Sequence, residues 1–473
     1  MDMSDIRTPR RWPTAIVWFR RDLRVHDHPA LLDAVEHADH VYPLFVFDEP
    51  LLSGRWPAPN RISFMRDSAM ELDGALRAMG SRLHVRLGRP AEAVAAFARE
   101  VGADAVLVSR DYGPYARSRD GEVAAALAED GRTFHARRGL LVHEPEDVLT
   151  QGGERFSVYS PFRRAFERLE RREPLAAPSR IPTPQEPAVG EWPSLARLTT
   201  GTPAAGLIAP GETAARERLA AWADGGLREY HARRNDLATD GTSRLSQDLH
   251  WGLLSGAEVY ARCGGPGRGP ETFRNELTWR EFYTHLLWHE PSVTREPLSP
   301  PYETAPWQDD PDGLSAWKEG RTGYPIVDAC MRQVQELGWM HNRGRLIVAS
   351  FLTKDLLIDH REGERHFMWH LTDGDLANNN GGWQWTASVG TDRQPIFRIF
   401  NPTLQATRFD PAGEFVRRWV PELADVPLES IHEPWRMSPE VQERVGCVIG
   451  RDYPAPIVDH AQARARALDA FRS

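Results

Sequence analysis

Three short stretches of this chain carry residue types that do chemistry as readily as they fill space. Gly241-Thr242-Ser243-Arg244-Leu245-Ser246 offers three hydroxyls and a run of backbone N–H groups ahead of a helical stretch. Such a cluster can bind phosphate at a helix N-terminus, but taken alone it reads first as plain N-capping. Arg345 and the pair Asp373-Gly374-Asp375 bring one cation and two carboxylates into the same helical region. Asn378-Asn379-Asn380-Gly381-Gly382-Trp383-Gln384-Trp385 then packs amides, close-approach glycines and two indoles together. A run that polar rarely just fills a core, and it suits closure over a large planar heterocycle.

Metal chemistry has weaker support. His366 and His370 stand at i, i+4 with His360 nearby, a spacing that suits two ligands on one helix face. No third or fourth ligand has a recognisable spacing, so no metal is expected. Cys263, Cys330 and Cys447 lie far apart and form neither a disulfide framework nor a zinc or iron–sulfur pattern. Gly264-Gly265-Pro266-Gly267-Arg268-Gly269-Pro270 has the composition of a phosphate loop. It follows no strand and contains two prolines, so a flexible surface turn is expected there.

These residues need elements to hold them. The 473 residues suggest two or three domains, and 41% apolar with 26% charged residues excludes wholesale disorder. No apolar run approaches a membrane span, and Ala15–Phe19 is too short for a secretory signal, so a soluble, cytoplasmic protein is expected. The net charge of −9 excludes a uniformly basic nucleic-acid binder and leaves room for a local basic groove. Only Lys318 and Lys354 are lysines among 58 basic residues. Genomic GC bias accounts for that plainly, and bidentate phosphate contacts are the sharper reading. Of 16 tryptophans, 11 fall between Trp251 and Trp435. Core filling takes most of them, but the density invites stacking or electron chemistry.

Residues up to 137 alternate β-rich runs (Ala15–Phe19, Val41–Phe47, Arg82–Leu87, Ala105–Ser109, Thr133–Ala136) with helical patterns such as Ile62–Met79 and Ala91–Val101. That order predicts βαβ units and a doubly wound parallel sheet. Trp18-Phe19-Arg20-Arg21-Asp22 stands where a dinucleotide fingerprint would follow the first strand, and no Walker A loop occurs. Eight prolines between Pro174 and Pro210 mark a long connector, at least partly extended. After Gly211 helical patterns dominate, over Thr213–Ala223, Glu276–His289, Ile326–Leu337, Arg345–Ile358 and Pro456–Phe471. The expected division is an α/β domain over residues 13–137, a connector over 138–212 and an all-α domain over 213–473.

Trp18-Phe19-Arg20-Arg21-Asp22-Leu23-Arg24, Gly241 to Ser246 and Asn275-Glu276-Leu277-Thr278-Trp279-Arg280-Glu281-Phe282-Tyr283 resemble the photolyase/cryptochrome family. So do Thr322-Gly323-Tyr324-Pro325-Ile326-Val327-Asp328-Ala329, Gly338-Trp339-Met340-His341-Asn342-Arg343 and Asp373 to Trp385. The match runs in register from about residue 14 to the final helix and is closest to bacterial class I cyclobutane pyrimidine dimer photolyases. It implies an α/β antenna domain, a connector and a helical FAD domain. The implied activity is light-dependent repair of pyrimidine dimers in DNA, by electron transfer from reduced FAD to a flipped-out dimer. A cryptochrome-like photoreceptor without repair is the alternative, disfavoured by the site residues and by the lack of a signalling tail after the last helix. A monomer with DNA as partner, and no membrane partner, is expected.

Carried over by register, Tyr230, Thr242, Ser243, Arg244, Leu245, Ser246, Phe273, Arg280, Asn342, Arg345, Asp373, Gly374 and Asp375 would hold FAD. Asn379 would stand beside flavin N5, where photolyases have asparagine. Trp279 and Trp385 resemble the aromatic wall against which the dimer packs, and Glu276 would hydrogen-bond it. Arg234, Arg343 and Arg398 match phosphate-contacting positions, with Asn342 and Leu346 also toward the DNA. Leu346 stands where a methionine is usual. The histidines that 6-4 photolyases place at 342 and 346 are absent, which argues against that lesion.

Two further expectations follow. The Asn-Glu pair of folate-type antennas aligns with Tyr115 and Ala116, whereas Asp111-Tyr112-Gly113-Pro114-Tyr115-Ala116-Arg117-Ser118-Arg119-Asp120 resembles the deazaflavin type, which implies an 8-hydroxy-5-deazaflavin as antenna rather than a folate. Phe45, Phe47, Asp48 and Asp111 would line its pocket, with Arg20, Asp22 and Tyr115 close by, although His250 replaces the lysine of the deazaflavin type. In the tryptophan chain that reduces the flavin, Trp383 matches the proximal and Trp307 the distal member, but the middle position is His360. Neutral imidazole is much harder to oxidise than indole, so the chain is broken there. Trp369, nine residues on, is the candidate bypass.

Overall fold

The computed structural model describes residues 11–184, 189–298, 307–392, 395 and 397–470. Pro187 of the connector and Phe471 of the last expected helix lie outside them.

Five parallel strands form one sheet in the order β3-β2-β1-β4-β5, with β1 Trp12–Phe19, β2 Ala38–Asp48, β3 His84–Gly88, β4 Ala105–Ser109 and β5 Thr133–Arg137. β4 is buried throughout and β1 nearly so, which is why Ala-Ile-Val-Trp-Phe and Ala-Val-Leu-Val read as unbroken apolar runs. The crossovers carry α1 (Pro29–His37), α2 (Pro59–Ala78), α3 (Pro90–Glu100) and α4 (Pro114–Glu129). Each opens on proline, whose missing N–H is free of cost in a first helical turn. On one face Ile16, Trp18, Leu44 and Val106 pack against Val94 and Phe97 of α3 and Val123 and Leu127 of α4. The strand order reverses between β1 and β4, so the carboxyl ends of these strands form a switch point, the usual place for a ligand in such sheets.

The connector follows the sheet. Val41 N–H donates to Pro182 O at 2.9 Å and Val85 N–H to Val189 O at 2.7 Å. It also contains α5, Tyr159–Arg168, which buries Tyr159, Phe162 and Phe166.

The chain divides into two compact units that differ from the expected boundaries. One takes in residues to Thr202, Ala209–Leu227 and Ser243–Pro291; the other holds Pro203–Ile208, Arg228–Thr242 and Ser292 onward. Residues 243–291, expected with the helices, fold with the sheet, and Arg24 shows why. Its guanidinium is fully buried and donates to Gly252 O and Gly139 O at 2.9 Å and to Asp27 O at 2.8 Å. No charge could be buried there without those carbonyls. The same unit contains α6, Arg268–His289. The glycine-rich stretch before it is therefore part turn and part helix: Gly267 caps α6 with φ of 112°, and Arg268-Gly269-Pro270 forms its first turn.

The second unit is helical, with α7 (Pro325–Leu337), α8 (Asn342–Ser350), α9 (His360–His370) and α10 (Leu376–Ala387) around a core that includes Trp317, Met331, Val348, Phe351 and Trp383. The expected helix to Ile358 ends early, because the chain widens into a π-turn over Phe351–Asp355. There Thr353 Oγ1 donates back to Ala349 O at 2.7 Å, and the buried Lys354 Nζ caps α10 through Ala387 O at 3.0 Å.

Candidate cofactor and lesion site

In the first unit, α6 presents Phe273, Glu276 and Arg280 at helical i, i+3, i+7 spacing, with Trp279 beside them. Trp279 is half-buried and lies face to face with Tyr159 of α5, centroids 3.6 Å apart and planes 7° from parallel. Tyr159 O–H donates to Asn275 O at 2.9 Å and Asn275 Oδ1 at 2.6 Å. Phe273 is buried against Trp222, centroids 5.5 Å apart. Arg280 pairs with Glu281 at 3.0 Å, and burial pushes the Glu281 carboxyl up to about 7. Ser243–Ser246 lead into a short helix, Ser246–His250, whose N-cap is Leu245 with no side-chain cap bond. Ser243 Oγ accepts from the Leu245 N–H at 3.4 Å, and Arg244 holds a left-handed backbone, φ 51°.

His285 stiffens the approach to Tyr159. Phe156 N–H donates to His285 Nε2 at 3.1 Å, which leaves Nδ1–H to donate to Pro145 O at 3.2 Å and fixes the neutral tautomer. Burial lowers the imidazole from 6.5 to about 4. The unfolded chain takes up this proton first, so the stability that neutral His285 contributes is whole above 6.5 and is lost as the pH falls from there through 4. An NMR titration should place this imidazole near 4, with Phe156 amide exchange rising over its neighbours as the acceptor is protonated; a midpoint near 6.5 would contradict the burial.

The expected antenna residues gather at the carboxyl ends of β1, β2 and β4. Arg20 pairs with Asp120 at 2.5 Å and donates to Ser109 O. Asp22 meets His28 Nε2 at 3.0 Å; against burial, which raises it, His28 and Arg20 hold its carboxyl below the ordinary range. Tyr115 O–H donates to both Asp48 oxygens at 2.7 and 2.9 Å, while burial raises the Asp48 carboxyl. Asp111 lies 3.6 Å from Arg21, and against burial Arg21, Arg119 and Arg20 hold it low. Phe45 and Phe47 meet edge to face at 5.0 Å. Arg119, which sequence did not single out, lies 4.0 Å from both Asp48 and Asp111 and over the Trp18 ring at 5.1 Å.

In the second unit, Arg345 Nη2 donates to Asp373 Oδ2 at 2.7 Å and Arg345 Nε to Met340 O at 2.9 Å. Asp373 Oδ1 is buried with no hydrogen-bond partner among the described residues, and so is the neighbouring Thr372 Oγ1. Buried polar atoms of this kind call for an outside partner. Gly374 follows in the turn, and Asp375 caps α10 through Asn378 N–H at 3.0 Å. Asn379 Nδ2 donates to Glu364 O at 3.0 Å, which turns its Oδ1 the other way as an acceptor. This donor and acceptor set fits a polar heterocyclic cofactor.

Tyr230 and Arg234 lie together in this unit, guanidinium 5.9 Å from the ring, and Thr242 falls here too. Asn342 is exposed at the start of α8, and Leu346 is half-buried one turn on. Arg343 donates to Asn235 Oδ1 at 2.8 Å and lies over Phe409 at 4.5 Å; exposed Arg398 lies over Phe400 at 5.8 Å. Trp383 is buried against Phe367 at 5.0 Å and Trp317 at 6.1 Å. A Cβ at Gly363 would come within 2.1 Å of its ring, so only glycine fits beneath it. Trp307 and His360 are brought together at 6.1 Å, and burial lowers His360 to about 4, so it is neutral. Trp385 is half-buried. Trp369 is 44% exposed and meets no other ring among the described residues. The His366 and His370 rings lie 4.4 Å apart with planes tilted by 48°, but no group of three metal-ligating side chains occurs among the described residues.

Residues 15–183 match the DNA photolyase family and residues 273–473 the FAD binding domain of DNA photolyase. A Streptomyces griseus protein named deoxyribodipyrimidine photo-lyase is 42% identical over 455 residues, covering 96% of this chain and 98% of its own. A bacterial class III photolyase structure from Agrobacterium tumefaciens matches with TM-score 0.91 and 37% identity, covering 99% of each chain. A Synechocystis sp. PCC6803 cryptochrome matches with TM-score 0.89 and 30% identity, covering 97% of this chain and 99% of its own.

Proposed function

The chain belongs to the DNA photolyase family, and from that premise we propose that it splits cyclobutane pyrimidine dimers in DNA under blue light. It is a lyase with an FAD-binding domain, and among the described residues no helix is long and apolar enough to cross a membrane. The observation that carries the proposal is the Arg345–Asp373 pair with its unpartnered buried Oδ1, inside the segment that matches the FAD-binding domain. When bound and reduced, FAD supplies light-driven donation of an electron that the dimer returns once its ring has opened.

The chain's own residues do the rest. Tyr230, Thr242, Ser243, Arg244, Leu245, Ser246, Phe273, Arg280, Asn342, Arg345, Asp373, Gly374 and Asp375 would hold the cofactor, and Asn379, its Nδ2 spent on Glu364 O, would offer its amide oxygen as an acceptor to the flavin. Trp279 and Trp385 offer π-surface that offsets part of the cost of extruding the dimer, a few kcal/mol in such enzymes. Glu276 is a fixed polar group for the charge that the dimer gains. Arg234, Arg343 and Arg398 take backbone phosphates, independent of sequence. The similarity to a cryptochrome keeps the photoreceptor reading as the second one. Incubating the reduced protein with dimer-containing DNA should remove dimers in blue light and leave them in the dark. Equal loss in both overturns the photochemistry, and flavin photochemistry without dimer loss favours the photoreceptor.

We assign the antenna to the switch-point residues Arg20, Asp22, Phe45, Phe47, Asp48, Asp111 and Tyr115, with an 8-hydroxy-5-deazaflavin as chromophore. Tyr115, whose hydroxyl donates to Asp48, stands where the folate type would carry asparagine, which supports this reading. Reconstitution should give tight deazaflavin binding; tight binding of a folate or a second flavin with none of deazaflavin would reassign the pocket.

A further inference from the structure

Trp279 is not held by its own helix alone. Tyr159 comes from α5, 120 residues earlier in the chain, and stacks on one face of the indole at 3.6 Å and 7°. The other rings near it approach differently: Phe282 at 5.7 Å and 78°, Tyr283 at 5.6 Å and 34°. Tyr159 is itself locked, buried at 6% exposure, with its hydroxyl donating to Asn275 O and Oδ1 at 2.9 and 2.6 Å. In an α-helix the carbonyl of residue 275 also accepts from the N–H of residue 279, so the phenol grips the same helical turn from which the indole projects. Burial raises the phenol pKa, with the Glu276 carboxylate adding to the rise, so the ring stays a neutral donor.

We propose that Tyr159 is the positioning residue that pre-sets Trp279, and thereby fixes how strongly the protein prefers dimer-bearing DNA to undamaged DNA. The proposal rests on the reading of Trp279 as a wall for the extruded dimer. An indole stacked on one side offers a flat ligand one defined face, and it has no rotamer freedom left to lose when the ligand arrives. Without the stack, the side chain orders only on binding, and that cost falls on the flipped-out lesion alone. Backbone contacts to undamaged DNA do not pass through Trp279.

The test measures binding in the dark, with no repair step, for Tyr159→Leu, Tyr159→Phe and Trp279→Leu, each loaded with FAD. Tyr159→Leu should bind dimer-containing DNA about tenfold more weakly, while its FAD content and its affinity for undamaged DNA stay at wild-type values. Tyr159→Phe keeps the stack and should stay within about twofold of wild type. Wild-type dimer affinity in Tyr159→Leu, or an equal loss for both DNAs, overturns the positioning role. Loss in Tyr159→Phe as large as in Tyr159→Leu overturns the stack and assigns the effect to the hydroxyl. If Trp279→Leu also binds dimer-containing DNA normally, the wall reading itself falls, and the role of Tyr159 with it.

Discussion

Asp373→Ala should give a folded protein that binds FAD at least a hundredfold more weakly than wild type. The substitution removes two things at once. It takes away the buried Oδ1, which has no partner among the described residues and stands ready for a donor on the cofactor. It also strips Arg345 of its 2.7 Å ion pair, leaving a cation where FAD is expected. A hydrogen bond to a charged group is worth about 1.5–3 kcal/mol, and a hundredfold corresponds to about 2.7 kcal/mol. Asp373→Asn keeps an acceptor and should fall between. Flavin absorbance after purification and equilibrium dialysis read the effect, with circular dichroism to show that the fold survives. FAD retained at wild-type affinity in Asp373→Ala would remove this carboxylate from the site and weaken the proposal that rests on it.

His360→Trp should speed photoreduction of oxidised FAD by more than tenfold and leave repair by the pre-reduced enzyme unchanged. Trp307 already meets the His360 ring at 6.1 Å, so an indole at 360 would stand within reach of the outer member. The native imidazole is buried and held neutral, since burial lowers it to about 4, and a neutral imidazole gives up an electron far less readily than indole. The larger ring enters a site with 3% exposure and costs about 1–3 kcal/mol in packing, which thermal denaturation will register. On the proposed mechanism the electron passes between flavin and dimer without this chain, hence the expected split between the two assays. Trp369→Phe should leave photoreduction unchanged, because no ring among the described residues bridges to that exposed indole. A fall on Trp369→Phe would restore it as the bypass; no gain on His360→Trp would show that position 360 does not limit the reaction.

Much of the molecule could be read from residue order. The strands stood within a few residues of their expected ends, most plainly the central ones, where both faces are buried and leave a continuous apolar signal. The helices expected over Ile62–Met79, Ala91–Val101 and Ile326–Leu337 form within three residues of those bounds, each opening on a proline just ahead of the apolar pattern. What was not legible depends on pairs far apart in the chain. Arg24 joined to Gly252, Tyr159 stacked on Trp279 and Trp317 against Trp383 leave no local pattern, since each partner alone reads as an ordinary basic or aromatic residue. The π-turns were invisible for another reason: Phe351–Asp355 keeps helical periodicity and differs only in which carbonyl each N–H reaches. Asp373 was named from sequence, but its two oxygens, one paired and one waiting, could be told apart only in three dimensions.

The interleaved course of the chain bears on gene shuffling among relatives. A crossover at residue 212, where sequence alone would cut between domains, separates Arg24 and Gly139 from Gly252, and Val142 from the Glu281 oxygen that accepts its N–H at 3.2 Å. A hybrid joined there keeps the Asp27 and Gly139 carbonyls of the guanidinium's own parent but takes the Gly252 carbonyl from the other, and any difference in backbone course there leaves one donor of a buried charge unpaired. A double exchange that moves residues 243–291 together with the sheet keeps these parental pairs intact, and recombinants of that kind should dominate the folded survivors of a random library.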